Sequence, residues 1–362
     1  MDWFWLYRPA VPSVRAQSIQ VVHMAHAMAC RGHEVTLVAD PVPGLPTREA
    51  EVLAFYGLSP HRGLHLEILP ASRTLASVKF RTSFARWVAR TGGSGVVYAR
   101  HKRYAAEAVR IFGRRFRLVV EAHEVDSLQA MERGEDPAEF RALEREVFTH
   151  AWGVVANAPG TLQLLQEQYP DLPPSIALQN ATHGSRIRRP KGYGEGIGYV
   201  GSIRPTKDLD CLAKAASFLP YPIHLVGAEP EHVGRLQQLA DGKLVVEPPI
   251  AHHAVPDRLA QFRALVLPLG KGLFGEQLSS PLKLWDYLAS GVPFVAADLP
   301  SLHAAAPGMF LPYRSGDADA LADALFRVAG DEALRRQLRA AMRVRTWDTR
   351  ASEVESFVRG LG

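Results

Sequence analysis

Three short stretches of this 362-residue chain carry side chains that could do chemistry where a strand or helix ends. In FGEQLSSPLKLWDYLASGVPFVAAD, from Phe274 to Asp298, Ser279 and Ser280 precede Pro281, a residue favoured in the first helical turn, and Gly291 stops the helix before an apolar run. A helix start exposes unpaired amides and a partial positive charge, so the N–H groups near Ser279 and Ser280 can hold a phosphate. Lys283 and Asp286 are three residues apart and share a helix face near that end. An acid so placed can accept hydrogen bonds from sugar hydroxyls; on residue types alone, a capped surface helix with an ion pair explains it as well. In YVGSIRPTK, Tyr199 to Lys207, a strand runs into a tight turn where Arg204 offers a fork and Lys207 a point charge to a phosphate. A basic surface loop would read the same way. In VVEAHE, Val119 to Glu124, His123 can hydrogen-bond a substrate hydroxyl, with Glu121 or Glu124 to orient it. A metal held by these three lacks a second histidine or carboxylate at helical ligand spacing, so no metal is expected. His23 and His26 lie near an apolar helical stripe and are read as structural, while His252 and His253 stay open.

These stretches need strands and helices in alternation to hold them, and the sequence supplies them. Strands are expected at Trp3–Tyr7, Glu34–Val38, His65–Leu69, Val96–Ala99, Leu118–Glu121, Gly153–Ala156 and Ile176–Leu178. A second series follows at Ile197–Val200, Ile223–Val226, Leu244–Glu247, Leu265–Leu267 and Pro293–Ala296. Between the first two strands, Ile19, Val22, Ala25 and Ala29 recur near helical spacing from Gln17 to Cys30, and Gly32 is the stop. The breaker-rich stretch SRIRRPKGYGEG, Ser185 to Gly196, separates the series. The expected domains are 1–184, 185–350 and a terminal helix, 351–362, returning to the first domain. No repeated motif relates the halves. The expected fold class is α/β, with two doubly wound Rossmann-like domains facing across a cleft and ligands at the carboxyl ends of strands.

Composition narrows the classes of function. With 47% hydrophobic and 22% charged residues the chain is ordinary globular protein. Its two cysteines, Cys30 and Cys211, are too few and too far apart for a disulfide scaffold or a cysteine zinc site. No apolar run approaches the roughly 20 residues of a membrane span, and MDWFWLYRPAVPSVR lacks the basic region and cleavage site of a signal peptide, so a cytoplasmic protein is expected. The P-loop and the hydrolase nucleophile elbow are absent. The net charge is only +5, but from Arg62 to Arg117 thirteen basic residues face two acidic ones, a local +11 that suits an acidic partner or a set of solvated helix faces. Within it, SVKFRTSFARWVAR (77–90) interleaves Lys79, Arg81, Arg86 and Arg90 with Phe80, Phe84 and Trp87 on one helix face. Such a face suits peripheral contact with an anionic membrane, or it packs the helix onto the first domain's sheet.

Taken in order, VPSVRAQSIQVVHMAHAMACRGHEVTLVAD, VVYARHKRYAAEAV, LVVEAHEVDS, VVANAPGTLQLL, ALQNATHGS, IGYVGSIRPTKDLDCLAKAA, HLVGAEPE, ALVLPL, SSPLKLWDYLASGVPFVAADLPSL and PYRSGDADALADAL resemble the retaining GT-B glycosyltransferases of family 4 over nearly the whole chain. The resemblance implies transfer of a sugar from a nucleoside-diphosphate sugar to an acceptor hydroxyl on a glycan, a lipid-linked molecule or a small molecule, as in polysaccharide biosynthesis. It implies no cofactor, no metal and no nucleic-acid partner. Lys207 matches the family lysine on the donor diphosphate. The usual arginine of that loop stands here as Ser202, with Arg204 able to supply the charge and Gly201 in the turn. Asp286 stands at the second glutamate of the family's paired-glutamate motif, which holds the ribose. The first falls on Leu278, with Glu276 nearby as a substitute. Ser279, Ser280 and Lys283 complete the donor side. His123 matches the histidine beside the transferred sugar, and Arg15, Gln17, Ser18 and Arg100 fall on the acceptor side. The catalytic set is then His123, Lys207 and Arg204, in a front-face reaction without a side-chain nucleophile. Two alternatives share the architecture: a sugar-nucleotide epimerase, and a degenerate member that binds a nucleotide sugar without transfer.

Overall fold

Strands covered on both faces read as apolar runs, and Val96–Ala99, Gly153–Ala156, Ala264–Leu267 and Phe294–Ala297 are of this kind, buried at every position. The computed structural model describes residues 1–183, 194–204, 206–228 and 230–362. Most of the expected linker from Ser185 therefore lies outside the described residues, as does Pro205. The first eight strands are β1 Asp2–Leu6, β2 Ala10–Val11, β3 Glu34–Pro41, β4 Leu64–Ile68, β5 Val96–Ala99, β6 Arg117–Ala122, β7 Gly153–Ala156 and β8 Ser175–Ala177. They form one sheet in which β3 pairs β2, β4 and β1, followed by β5, β6, β7 and β8, every pairing parallel. The remaining six are β9 Ile197–Val200, β10 Ile223–Val226, β11 Leu244–Glu247, β12 Ala264–Leu267, β13 Phe294–Ala297 and β14 Leu311–Tyr313. They form a second all-parallel sheet in the order β11-β10-β9-β12-β13-β14.

The chain divides into two units, Met1–Gln179 with Trp347–Gly362, and Asn180–Thr346. The division falls ahead of residue 184, and the terminal helix begins at Trp347 rather than Ala351. That helix carries fully buried Arg350, Ala351 and Val354 within the first unit. In the first unit the direction of strand addition reverses between β1 and β5, and in the second between β9 and β12. These two reversals are the places where a doubly wound sheet opens to a ligand.

Local signals work as expected at several ends. The helix Ala16–Cys30 stops at Arg31, with Gly32 following at φ 85°, and Leu282–Ser290 stops at Gly291 at φ 70°. Pro281 sits one residue before the helix, at its cap, and not inside the first turn. Of the two readings of 77–90, the helix Arg73–Thr91 takes the second, its aromatic face packed on the first unit's sheet. Phe80, Phe84 and Trp87 are buried, with ring centroids 6.1, 4.9 and 5.6 Å from that of Phe4 on β1. Burying three aromatics against the sheet satisfies the apolar face, so those rings cannot anchor a bilayer. The basic excess is also partly met by carboxylates: Lys79 pairs Glu67, Arg81 pairs Glu107, Arg90 pairs Asp2 and Arg110 pairs Glu146. No helix among the described residues is long and apolar enough to cross a membrane.

Candidate functional site

In the second unit, the loops after β9 and β12 meet at the reversal point. Gly270 N donates to Thr206 O at 3.0 Å, and Lys207 N to Arg204 O at 2.8 Å, which closes the turn expected after Tyr199. The Lys207 ammonium lies 5.5 Å from the centroid of Phe274, and desolvation lowers its pKa to about 8. Lys283 reaches the same end of β9. Its Nζ donates to Tyr199 Oη at 2.8 Å, lies 3.9 Å from that ring's centroid, and would stand 2.3 Å from a Cβ at Gly201. A side chain at 201 would displace this lysine, and Gly201 also takes a φ of 147°, which favours glycine. Burial first, then the charge of Lys207, push the Lys283 ammonium well below its ordinary range. Tyr199 in turn donates to Ser202 O at 2.8 Å, while the Ser202 and Arg204 residues are exposed.

Asp286 and Lys283 do not turn to each other as a surface ion pair. The Asp286 carboxylate accepts from Thr182 Oγ1 at 2.6 Å, and burial raises its pKa against the opposing pull of His252, Thr182 and Lys283. The two serines before the helix differ in their side-chain contacts. Ser280 Oγ accepts from Asn180 N at 2.8 Å and Ser280 O from Asn180 Nδ2 at 2.6 Å, so this serine ties down the first residue of the second unit. Ser279 is buried, and its Oγ has no partner among the described residues. Glu276 is half-buried in a π-helical turn, Phe274–Leu278, an irregularity common at functional sites. Leu278 is fully buried and belongs to the packing.

In the first unit, His123 follows β6 and lines a cavity of about 330 Å³ together with Tyr7, Gln17, Arg100 and Glu124. Beneath it Glu121 is completely buried and accepts from Gln20 Nε2 at 2.8 Å and from Arg350 Nη2 at 2.5 Å. Arg100 Nη1 donates to Gln20 Oε1 at 2.6 Å and contacts His123 Nε2 at 3.0 Å. Burial, followed by the charge of Arg100, lowers the His123 pKa to about 4, so the ring is neutral near pH 7. A guanidinium can only donate, which assigns Nε2 as the acceptor and leaves the proton on Nδ1. The 3.4 Å approach of Glu121 Oε1 to Nε2 is then a contact held through Arg100 and not a hydrogen bond. Of the two glutamates expected to orient His123, Glu121 is the one beside it. Glu124 instead gives its carbonyl to Lys102 Nζ at 2.9 Å.

Gln17 is therefore beside His123 and Arg100, while Arg15 is an exposed residue preceding the helix and Ser18 is fully buried with its hydroxyl unpartnered among the described residues. His23 stacks on Trp347 at 5.9 Å, in keeping with a structural role. Gln20, Tyr199, Thr182 and Arg350 take part without having been singled out. Gln20 lies one helical turn beyond Gln17 and was within reach of a spacing argument. The others are brought in by tertiary contact.

Two all-parallel, doubly wound units, the second with lysines gathered at its reversal point, define the GT-B class of α/β enzyme. Residues 17–177 match the model of Glycosyltransferase Family 4, and residues 194–331 that of Glycosyl transferases group 1. The chain belongs to this family, the family 4 (group 1) glycosyltransferases, and is a transferase. A sucrose-phosphate synthase from Thermosynechococcus elongatus superimposes with a TM-score of 0.77 at 16% identity, covering 99% of this chain and 98% of that one. WaaG, a glycosyltransferase involved in lipopolysaccharide biosynthesis, gives 0.69 at 13% identity over 99% and 100%. Anabaena HepE, solved in complex with UDP and glucose, gives 0.71 at 13% over 99% and 100%. No curated protein matches the sequence significantly.

Proposed function

We propose that this enzyme transfers a sugar from a nucleoside-diphosphate sugar to an acceptor hydroxyl with retention of configuration. The observation that carries the reading is the pair of lysines at the carboxyl end of β9, both depressed by burial and Lys283 further by its neighbour. Two desolvated cations held together repel each other, and a diphosphate is the ligand that turns this cost into attraction. The solved complexes of HepE with UDP and with UDP-glucose lend support by similarity of fold.

In this reading Lys207 and Lys283, with Arg204, hold the diphosphate against Gly201, Ser202 and the amides at Ser279 and Ser280. Asp286 takes the ribose hydroxyls on the carboxylate capacity that Thr182 leaves, and Glu276 faces the sugar. The bond from the anomeric carbon to the diphosphate oxygen breaks as the acceptor oxygen bonds to the same face of that carbon. The acceptor's proton passes to the departing phosphate. Stabilising charge on that phosphate is the protein's main task, and fixed lysines do it without a metal. The neutral His123 offers Nδ1–H to a sugar hydroxyl, and Arg15, Gln17, Ser18 and Arg100 serve the acceptor side.

A panel of nucleotide sugars, assayed for nucleotide release with and without candidate acceptors, tests the reading. Acceptor-dependent release with retained configuration is expected. Binding without release under every acceptor points to the degenerate alternative, and conversion of the donor without release to an epimerase. At the ribose position, Asp286→Asn should weaken nucleoside-diphosphate binding by about 1–2 kcal/mol, the worth of a charge-assisted hydrogen bond, with Asp286→Glu close to the parent. Calorimetry showing parental affinity for Asp286→Asn would remove the carboxylate from the site.

A further inference from the structure

The helix Arg73–Thr91 separates two cavities of the first unit that the donor chemistry leaves unused. The larger, about 960 Å³, lies beyond β3 and β4 and is lined by Arg8, Asp40, Ile68, Arg73 and Lys79 among others. The smaller, about 450 Å³, lies between this helix and Lys102–Phe112, with Leu6, Phe80, Phe84, Ala85, Ile111 and Phe112 in its wall. Helical spacing explains the division: Ala76 and Lys79 face the first cavity, and Ser77, Phe80 and Phe84 the second. Arg8 lines both. Its Nη2 donates to Asp40 Oδ1 at 2.5 Å and its Nη1 reaches Ser77 Oγ at 3.5 Å, while its carbon lies 5.6 Å from the Phe80 ring centroid. The Nε of Arg8 is buried and has no hydrogen-bond partner among the described residues.

We propose that the two cavities form one site for an anionic amphiphile. Its phosphate-bearing head lies beside Arg8, Arg73 and Lys79, and its hydrocarbon chain lies in the groove between the helices. The observations favour this occupant over its parts. A free phosphate or a sugar phosphate would leave the apolar groove between the helices unfilled, with Ile111 59% exposed at its wall. An uncharged chain would leave Arg73 and the orphaned Arg8 Nε without an anion, since Asp40 meets only the other end of Arg8 and Glu67 already pairs Lys79. One molecule with both ends satisfies both, and the shared residue Arg8 marks the join. A lipid bilayer fits less well, because the aromatic face of Arg73–Thr91 points into the protein. Calling the amphiphile the sugar acceptor rests on the glycosyl-transfer reading; its binding does not.

The test is calorimetric titration of the full chain with dodecyl phosphate below its micelle concentration, beside inorganic phosphate, dodecyl maltoside and anionic vesicles. One molecule per chain is expected, bound at least tenfold more tightly than either inorganic phosphate or dodecyl maltoside. Ala85→Trp fills the groove at a half-buried position, and Ile111→Asp charges its exposed wall. Each should weaken dodecyl phosphate at least tenfold with an unchanged Tm. Arg73→Glu with Lys79→Glu, both exposed, should weaken dodecyl phosphate and spare dodecyl maltoside. Equal binding of the two amphiphiles, insensitivity to the groove variants, or binding to vesicles without binding of the monomer would each overturn the proposal. Nucleotide titrations run in parallel keep the readings apart, since loss of donor binding with amphiphile binding intact sinks only the donor reading.

Discussion

A Lys207→Ala protein should fold normally and lose two orders of magnitude or more in kcat/KM. In the proposed donor site the lysine is a preorganised cation beside the phosphate that leaves the sugar, and removing one such donor costs about 2.7–4 kcal/mol in the transition state. Stability should move the other way or not at all. The Lys207 pKa is lowered to about 8 in the folded protein, so the unfolded chain binds this proton more tightly. Charged Lys207 therefore disfavours the folded state at neutral pH, an effect that fades as pH rises from about 8 towards the ordinary lysine range. Lost turnover with an unchanged or raised Tm would separate a chemical role from a structural one. A second readout follows from the same pKa. Binding an anion favours the protonated lysine, so nucleoside-diphosphate affinity should fall as pH rises above about 8, with proton uptake on binding in that window. Calorimetry in buffers of different ionisation enthalpy measures the uptake, and Lys207→Ala should reduce it. Near-normal turnover in the folded variant, or proton uptake equal to the parent's, would take Lys207 out of the donor site.

How much of this was legible in the residues depends on how far apart the partners lie. Strands buried on both faces read as continuous apolar runs, so Val96–Ala99, Gly153–Ala156 and Ile197–Val200 have the expected bounds. Two short strands escape the same test. β2 is two residues followed by Pro12, and β14 carries Pro312, which an edge strand tolerates but which hides it from a pattern search. Periodicity placed Phe80, Phe84 and Trp87 on one helix face, but it could not say whether that face meets lipid or protein. The answer lies in Phe4, far back in the chain. The grouping of Lys207, Lys283 and Asp286 was legible because they sit on local strand-end and helix-start features. The partners that hold them were not: Tyr199 reaches Lys283, and Thr182 reaches Asp286, only once the sheet has formed. Ser280 adds a partner of the same long-range kind. Its hydroxyl accepts from Asn180 N, a hundred residues back in the chain, while the expectation for this helix start concerned the backbone amides.

Arg350 had no local mark at all, and it supports the largest expected loss of stability, about 3–5 kcal/mol for Arg350→Leu, the range for breaking a buried ion pair from one side. The side chain is fully buried, donates to Glu121 and gives Nε to Gln179 O at 3.1 Å, so the last helix is fastened to β6 beneath His123. Without Arg350, Glu121 stays buried with Gln20 and the nearby His123 and Arg100, too few partners to offset its desolvation. Its carboxyl, now held far below the ordinary range chiefly by Arg350 against the opposing effect of burial, should rise. The sign of the pH dependence follows. In the parent, Glu121 contributes its full stability above the unfolded carboxyl range and loses it as pH falls towards the folded pKa. Arg350→Leu should flatten that acid dependence as well as lower stability at pH 7. Urea unfolding followed by tryptophan fluorescence reads the correct unit, because of the six tryptophans only Trp285 lies outside the first unit. In the double variant with Glu121→Gln the charge that Arg350→Leu strands is gone, so the two losses should add to less than their sum. A loss below about 1 kcal/mol for Arg350→Leu, or strict additivity with Glu121→Gln, would mean that Gln20 and Arg100 hold Glu121 without help from the terminal helix.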